Sequence, residues 1–368
     1  MNLLFLQRID RCGGGSRASL TNTLRALRDN RPDWGLTLAT RDIGPLGEKA
    51  DQMGVDHFTT PMPHFRKLWQ RPAFEFACKR LASHTAGLKL DAVLSNEWIT
   101  APHTLRVARY LGIHAMSYIR DFAAVERGRK YQLDQMDRLL CVSGSMRQAM
   151  IEVGYDPVKV RTVYNPVLPP AEGSPDEPVH ARICATVQVD RWLLYLGRIS
   201  SRKNQIEAVE TLLHLRRITG ERWGLLLAGD ANAEYEFELD RMIATSGLDA
   251  EVLKLGLVAN PGWLFKLAEA FLMTSKSEGL ARVLIESFLC GKPAFALPQE
   301  GLEDIYGDAL PFFVPSSRDP ASLAEKIKGS LANEDYSKQY TREIGDSLER
   351  RHSFLGHIAS FEAAVSMA

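Results

Sequence analysis

The chain has 368 residues, 45% of them apolar; that is too long for one ordinary hydrophobic core and suits two globular domains. Lys plus Arg and Asp plus Glu number 45 each, so no global field argues for nucleic acid, although a neutral sum leaves room for a local basic patch. Cys12, Cys78, Cys141, Cys184 and Cys290 show no CxxC pair or metal-ligand spacing, and no apolar run approaches the ~20 residues of a membrane helix, which together predict a soluble protein with reduced core thiols, expected in the cytoplasm.

In chain order, Leu3 to Leu6 reads as a buried first strand rather than a signal peptide, because the residues around it carry no basic leader. Cys12-Gly13-Gly14-Gly15-Ser16, the densest glycine cluster, then precedes an amphipathic run with Leu20, Leu24 and Leu27 on one face. Strand, glycine loop and helix form a layout that lets backbone approach a phosphate or sugar, or else a plain flexible turn. The pattern is not GxGxxG, so a dinucleotide fingerprint is a poor match. Further strands are predicted over Leu36–Thr40, Asp56–Thr60, Asp91–Ser95, Ala115–Ile119, Arg138–Val142 and Val160–Tyr164, with helices at Phe74–Ser83 and Ala101–Leu111. Such alternation predicts a parallel sheet with helices on both faces. Between Pro61 and Pro72, a proline-rich connection carries His64, Phe65, Arg66 and Trp69. It reads as an acceptor-side loop or as a surface connection with a tucked Trp69.

Asn165-Pro166, Pro169-Pro170 and Ala171 to Pro178 shift the composition to Pro, Gly, Glu and Asp, and the domain boundary is placed there. A second αβ series follows, with strands at Trp192–Leu196, Gly224–Leu227, Glu251–Leu255, Ala270–Met273 and Ala294–Leu297. Several of them end in glycine or a polar residue, which puts permissive backbone on the sheet edge where open α/β sheets bind ligands. Ala321–Leu331 and Asp335–Arg350 are predicted tail helices, and Phe354–Val365 has apolar residues at helical spacing.

The chemistry concentrates around two strand-to-helix junctions. Arg198 and Lys203 flank the first, an arginine fork and a lysine point charge that together suit a diphosphate. Ser277-Glu278-Gly279-Leu280-Ala281 forms the second, with Glu286 eight residues after Glu278. Carboxylates there can accept hydrogen bonds from sugar or ribose hydroxyls, while helix N–H groups face an anion; taken alone, the acids also fit mere helix-end charges. Cations for a diphosphate beside carboxylates for hydroxyls describe a nucleotide-sugar site.

Leu196-Gly197-Arg198-Ile199 with Lys203-Asn204, and Ser277-Glu278-Gly279 with Glu286 and Gly291-Lys292-Pro293, resemble the signature of the family 4 retaining glycosyltransferases (group 1). The resemblance implies an α/β protein of GT-B fold, two doubly wound Rossmann-like αβα domains facing across a cleft. Residues 1–170 would take the acceptor and 171–350 the donor, with the 351–368 helix crossing back. It implies transfer of a hexose-type sugar, with retention, from a UDP- or GDP-sugar to a saccharide or lipid-linked saccharide hydroxyl in cell-surface polysaccharide or glycoconjugate synthesis. No cofactor or metal would be required, the cations standing in for Mg²⁺. By position, Arg198, Lys203 and Glu278 would be catalytic; Gly14, Gly15, Val258, Gly279, Leu280, Ala281 and Glu286 would join them in holding the donor.

Glu97, Arg120 and Asp121 are candidate acceptor contacts. Three positions depart from the family pattern, the first being a strand end often rich in histidine that reads Ser95-Asn96-Glu97-Trp98 here. The family's Gly-Phe-Gly is Gly279-Leu280-Ala281 here, adding a methyl at Ala281, and its His-Asp is Arg120-Asp121. Arg120 would meet a negative group on the sugar or acceptor, or be a surface arginine paired with Asp121. Trp98 would stack on a sugar or sit in the core. The expected partners are the two substrates alone, with no nucleic acid, a peripheral contact at the inner membrane face as an option, and a monomer or homodimer. The rival readings are a phosphorylase or synthase on a small sugar and a catalytically silent nucleotide-sugar binder.

Overall fold

The computed structural model describes residues 1–8, 15–186 and 189–366. Strands form where short apolar runs are bounded by turn residues. Leu3, Leu4, Phe5 and Leu6 have no exposed surface, which is the mark of a parallel strand covered on both faces. Seven strands make the first sheet: β1 (Asn2–Gln7), β2 (Gly35–Thr40), β3 (Asp56–Thr59), β4 (Ala92–Ser95), β5 (His114–Ile119), β6 (Arg138–Cys141) and β7 (Val160–Thr162). Five make the second: β8 (Arg191–Leu196), β9 (Trp223–Ala228), β10 (Val252–Gly256), β11 (Ala268–Met273) and β12 (Ala294–Ala296). Every strand pairing is parallel. Helices connect the strands, as right-handed parallel crossovers require.

The spatial order is β3-β2-β1-β4-β5-β6-β7 in one sheet and β10-β9-β8-β11-β12 in the other. Each sheet therefore grows outward from its first strand in one direction, then returns to lay the next strand on that strand's other side. Local chemistry sets the helix ends. Ser143 Oγ accepts the Met146 N–H at 3.2 Å to start Gly144–Glu152, and Asp319 caps Pro320–Ala332 through the Ala321 and Ser322 N–H groups. Gly112, at φ 68°, closes Ala101–Leu111 in the left-handed conformation that glycine tolerates.

The chain forms two compact units, residues 1–167 with 350–368, and residues 168–349. The second boundary falls inside the helix Glu334–His352. In the first unit the terminal helix Phe354–Val365 lays the fully buried Phe361 between Trp34 and Tyr118, with ring centroids 6.3 and 6.5 Å away. Burial holds His357 down to about 4, so the neutral ring donates Nδ1–H to the Tyr164 carbonyl at 2.7 Å. An Arg31–Glu362 ion pair closes the contact at the surface. Phe361→Ala is expected to cost about 3–5 kcal/mol of first-unit stability. Hydrogen exchange in urea should show earlier opening of β1 and β5 peptides with β8 and β11 unchanged.

Candidate active site

In the second sheet the switch point lies at β8, whose neighbours are β9 on one side and β11 on the other. The connections leaving β8 and β11 depart to opposite faces, which opens a crevice at their carboxyl ends. Gly197 ends β8 at φ 155° and Gly229 ends β9 at φ 153°. A Cβ on Gly229 would run into the Gly197 carbonyl, so backbone packs directly on backbone where the two loops leave the sheet.

Hydrogen bonds from below fix the Gly197–Asn204 loop. The Lys203 and Asn204 N–H groups both donate to the Ser200 carbonyl, at 3.0 and 2.8 Å. The buried Tyr195 hydroxyl donates to the Lys203 carbonyl at 2.5 Å, and Thr274 Oγ1 to the Asn204 carbonyl at 2.7 Å. From the β11 side the Lys276 N–H reaches the Arg202 carbonyl at 2.8 Å. The two loops are thus stitched together through main chain before any charge is considered.

The charges then meet. Lys203 Nζ donates to Glu278 Oε1 at 2.5 Å, and Arg202 donates to Oε2 at 3.0 Å and to the Ser277 carbonyl at 2.8 Å. The Lys203 and Glu278 side chains are only 13% and 11% exposed. Burial works against the Glu278 carboxylate, but Lys203 and Arg202 outweigh it and hold the carboxyl below its ordinary value. Behind the loop, Arg318 donates to the carbonyls of Thr274 (2.6 Å), Ser275 (3.1 Å) and Pro298 (3.3 Å) and pairs with Glu207 at 2.5 Å. Arg202 and Arg318 thus brace the two loops, and motif reading missed both. Arg202 had a signal, its place next to Lys203; Arg318 had none, lying 40 residues beyond Glu278.

After Glu278, the amides of Gly279, Leu280 and Ala281 have no hydrogen-bond acceptor among the described residues. They lead into the helix Arg282–Leu289, so unsatisfied donors and the positive helix end sit side by side. Glu286 lies within this helix and pairs with Arg282 at 3.2 Å, yet burial pushes its carboxyl above the ordinary value despite Arg282 and Lys203. Arg198 departs from the expected convergence. It is more than half exposed and its Nε faces Asp230 at 3.4 Å, whereas Lys203 meets Glu278. Val258 follows β10 and is half-buried. Among the described residues no group of three His, Cys, Asp or Glu side chains could hold a metal ion.

The first sheet has its own switch point, between β1 and β4. Gly14 lies outside the described residues, and Gly15 begins the helix Gly15–Asn30. Glu97 accepts from Ser16 Oγ at 3.3 Å. Arg120 is not the surface partner of Asp121. Its Nε donates to the Asn96 carbonyl and side chain at 3.0 and 2.9 Å, its Nη1 to Asn165 Oδ1 at 2.6 Å, and its guanidinium covers the Tyr118 ring at 4.2 Å. Asp121 instead accepts the Trp98 indole N–H at 3.0 Å, and Trp98 is buried edge-on to Tyr131 rather than open to a sugar. The expectation of a tucked Trp69 is overturned, since it is 75% exposed. Met62 and Phe65 take the interior of that connection instead, Phe65 lying 5.2 Å from Phe74.

Two protein families match the chain: that described as glycosyltransferase family 4 over residues 13–169, and that described as glycosyl transferases group 1 over residues 185–345. A Campylobacter jejuni enzyme named as an α-1,4-N-acetyl-D-galactosaminyltransferase acting on a GalNAc-GalNAc-diNAcBac-diphospho-undecaprenol is 26% identical over 156 residues, 42% of this chain and 42% of that protein. A D-inositol 3-phosphate glycosyltransferase of Frankia alni is 26% identical over 279 residues, 67% of this chain and 66% of that one. Aligned length thus stays below two thirds of both curated relatives. Among solved structures, Anabaena HepE in complex with UDP and glucose superposes with a TM-score of 0.81 at 16% identity, covering 100% of this chain and 99% of that one. That likeness shows the GT-B fold.

Lys203→Met strands a buried Glu278 and is expected to cost about 3–5 kcal/mol at pH 7, with Glu278→Gln in the same chain restoring most of it. A carboxyl held below its ordinary value stabilises the fold above its unfolded pKa, and that contribution disappears as the pH falls through the lower folded value. The deficit of Lys203→Met should therefore shrink on acidification below about pH 4, near the ordinary carboxyl value. Denaturant midpoints across pH measure it; a single variant as stable as wild type at pH 7 would refute the coupling.

Proposed function

The chain belongs to the family 4, group 1 glycosyltransferases, and on that premise we propose that it moves a hexose-type sugar from a nucleoside diphosphate sugar to a hydroxyl of a saccharide or lipid-linked saccharide acceptor. The observation that carries the reading is the meeting of Lys203 and Glu278 at 2.5 Å over the β8/β11 switch point, beside a run of amides with no acceptor among the described residues. A UDP- or GDP-sugar fits this chemistry. Arg198, Lys203 and the amides of Gly279, Leu280 and Ala281 would take the diphosphate, the buried Glu286 the ribose hydroxyls, and Val258 the edge of the base. Glu278 would lie beside the transferred sugar. When the anomeric bond breaks, negative charge grows on the leaving diphosphate, and cations and dipoles already in place stabilise it without reorganising. Such a site needs no enzyme nucleophile and no added cofactor, which suits front-face transfer with retention.

The 1–170 segment with the terminal helix would supply the acceptor side, through Glu97 and the β4 and β5 ends, and 171–350 the donor side. The Campylobacter relative is named for a saccharide on a diphospho-undecaprenol. An acceptor of that class would bring this protein to the inner face of a membrane as a peripheral visitor, and no helix among the described residues is long and apolar enough to cross one. Synthesis of a cell-surface polysaccharide or glycoconjugate is the corresponding role.

Glu286→Ala is expected to raise the donor KM about tenfold or more with a smaller change in kcat, because a ribose contact serves ground and transition states alike. Arg198→Ala and Glu278→Gln should instead lower kcat by about 10²–10³. A thermal-shift panel of nucleoside diphosphates and their sugars identifies the donor. NMR of the product anomer then tests retention. Failure of every nucleotide in the panel to bind would sink the reading.

A further inference from the structure

A second cleft, of about 640 Å³, lies in the first unit where β1, β2 and β3 end. Arg8, Arg41, Thr60, His64 and Trp69 line it. Its wall is a built turn. The His64 N–H donates to Gln70 Oε1 at 2.7 Å, Met62 is anchored in the core, and Phe65 packs on Phe74. Held this way, Trp69 stands 75% exposed on the rim with the Lys67 ammonium 5.5 Å from its ring. An exposed indole fixed by ordered backbone is a ready stacking surface, large in area and cheap in side-chain entropy.

The charges inside lean positive, Arg8 and Arg41 against Asp42 alone. Arg8 is half-buried and its Nε is shielded from solvent with no hydrogen-bond partner. It forms no ion pair with any carboxylate among the described residues. One guanidinium N–H goes to His64 Nε2, a use that asks the ring to stay neutral. The carboxylates nearby are otherwise engaged: Asp42 with Arg41 at 2.9 Å, and Glu97 with Ser16 at 3.3 Å. Burial, and then the charge of Arg41, press Arg8 below its ordinary value, while burial followed by Arg8, Lys67 and Arg41 do the same to His64. A half-buried fork with its Nε shielded, facing a second arginine and forming no ion pair among the described residues, is matched best when a ligand supplies the charge.

We propose that this cleft binds an anionic group, phosphate or carboxylate, carried by the acceptor saccharide, with Arg8 as its fork, Arg41 as the second cation and Trp69 stacking on the sugar. The inference rests on the glycosyltransferase reading for the word acceptor, but the anion site stands on the cleft alone. Glu97, whose second carboxylate oxygen is buried without a partner, adds a hydroxyl acceptor close by. A neutral saccharide would leave the Arg8 donors unmatched, so the site selects against it.

The full chain is titrated calorimetrically with glucose 1-phosphate, glucuronate and glucose, and separately with a nucleoside diphosphate. Glucose 1-phosphate carries its charge where a lipid carrier would attach, and glucuronate carries it on the ring, so their order names the source of the anion. Wild type should hold at least one anionic sugar about tenfold or more tighter than glucose, a charge-assisted hydrogen bond being worth that much. Arg8→Gln should erase the preference, Arg8→Lys should keep part of it, and Trp69→Ala should weaken all three sugars together. Nucleoside diphosphate affinity should be the same in every variant. An anionic preference that survives Arg8→Gln, or glucose binding as tightly as both acids, overturns the proposal. If the nucleoside diphosphate alone fails to bind, the donor reading falls and the anion site does not.

Discussion

The second unit is organised around one buried ion pair, Lys203 with Glu278. Taking a lysine and a carboxylate out of water costs several kcal/mol per ion, recovered only when geometry is good and further hydrogen bonds fill the remaining positions. Here Arg202 fills one such position on Glu278. The pair also depends on where it stands. β8 and β11 are the inner strands of their sheet, and Leu193, Leu194, Phe271 and Leu272 beneath have no exposed surface. Two loops that leave this base to opposite faces are free to diverge. Main-chain bonds from Tyr195, Thr274 and Lys276, and the Arg318 clamp from behind, hold them at a separation that the pair can span. On the proposed function, a diphosphate arriving at this crevice would compete with Glu278 for Lys203 and bind by exchanging partners.

The first sheet has the same switch in strand order but uses its polar groups differently. Asn96 donates to Gln7 and to the Ser16 carbonyl, and Arg120 to Asn96 and Asn165, so these groups spend much of their capacity on one another. Asp121 is spent on Trp98. Such a network rigidifies the strand ends. An arginine at the place of the family histidine is therefore foremost a brace across β4, β5 and the segment after β7, reaching three elements that an imidazole is too short to join. The cation outside any ion pair among the described residues lies one strand further along, at Arg8, beside an Arg41 that pairs with Asp42. That division would keep the proposed hydroxyl recognition at Glu97 apart from the proposed charge recognition at Arg8.

Strand positions were legible in the sequence because parallel strands covered on both faces appear as continuous apolar runs. Each of the expected ranges falls on an observed strand to within a few residues at its ends. Glu278 and Glu286 were legible because their spacing straddles a strand-to-helix junction. What was hidden depended on contacts distant in sequence. Arg318 serves carbonyls some 20 to 44 residues away, and the indole of Trp98 meets an aspartate 23 residues later. Composition misled at Trp69. A tryptophan among prolines is expected to tuck inward, but Met62 and Phe65 already occupy the interior of that turn, and the indole is left outside. Arg198 and Lys203 read as one clamp because the sequence shows charge and spacing but not the different carboxylates the two cations meet, Asp230 and Glu278.

The same distinction decides the departure at Leu280-Ala281. A glycine is indispensable where φ is positive or where a Cβ would strike a ligand or backbone. Ala281 has φ −77° and ψ 71°, a conformation open to any residue, and is only 5% exposed. Its methyl is packed within the protein, and its carbonyl already serves the first turn of the following helix by accepting the Leu284 N–H at 2.9 Å. The substitution therefore costs no backbone strain and presents little surface outward. Gly279 and Leu280, half-buried and carrying amides without acceptors, are left as the outward part of the motif. A leucine there offers apolar contact without the flat ring of the family phenylalanine. On the proposed function, selectivity for one sugar over another would lie in the Leu280 side chain, with the amides of Gly279 and Leu280 still facing outward despite the changed letters.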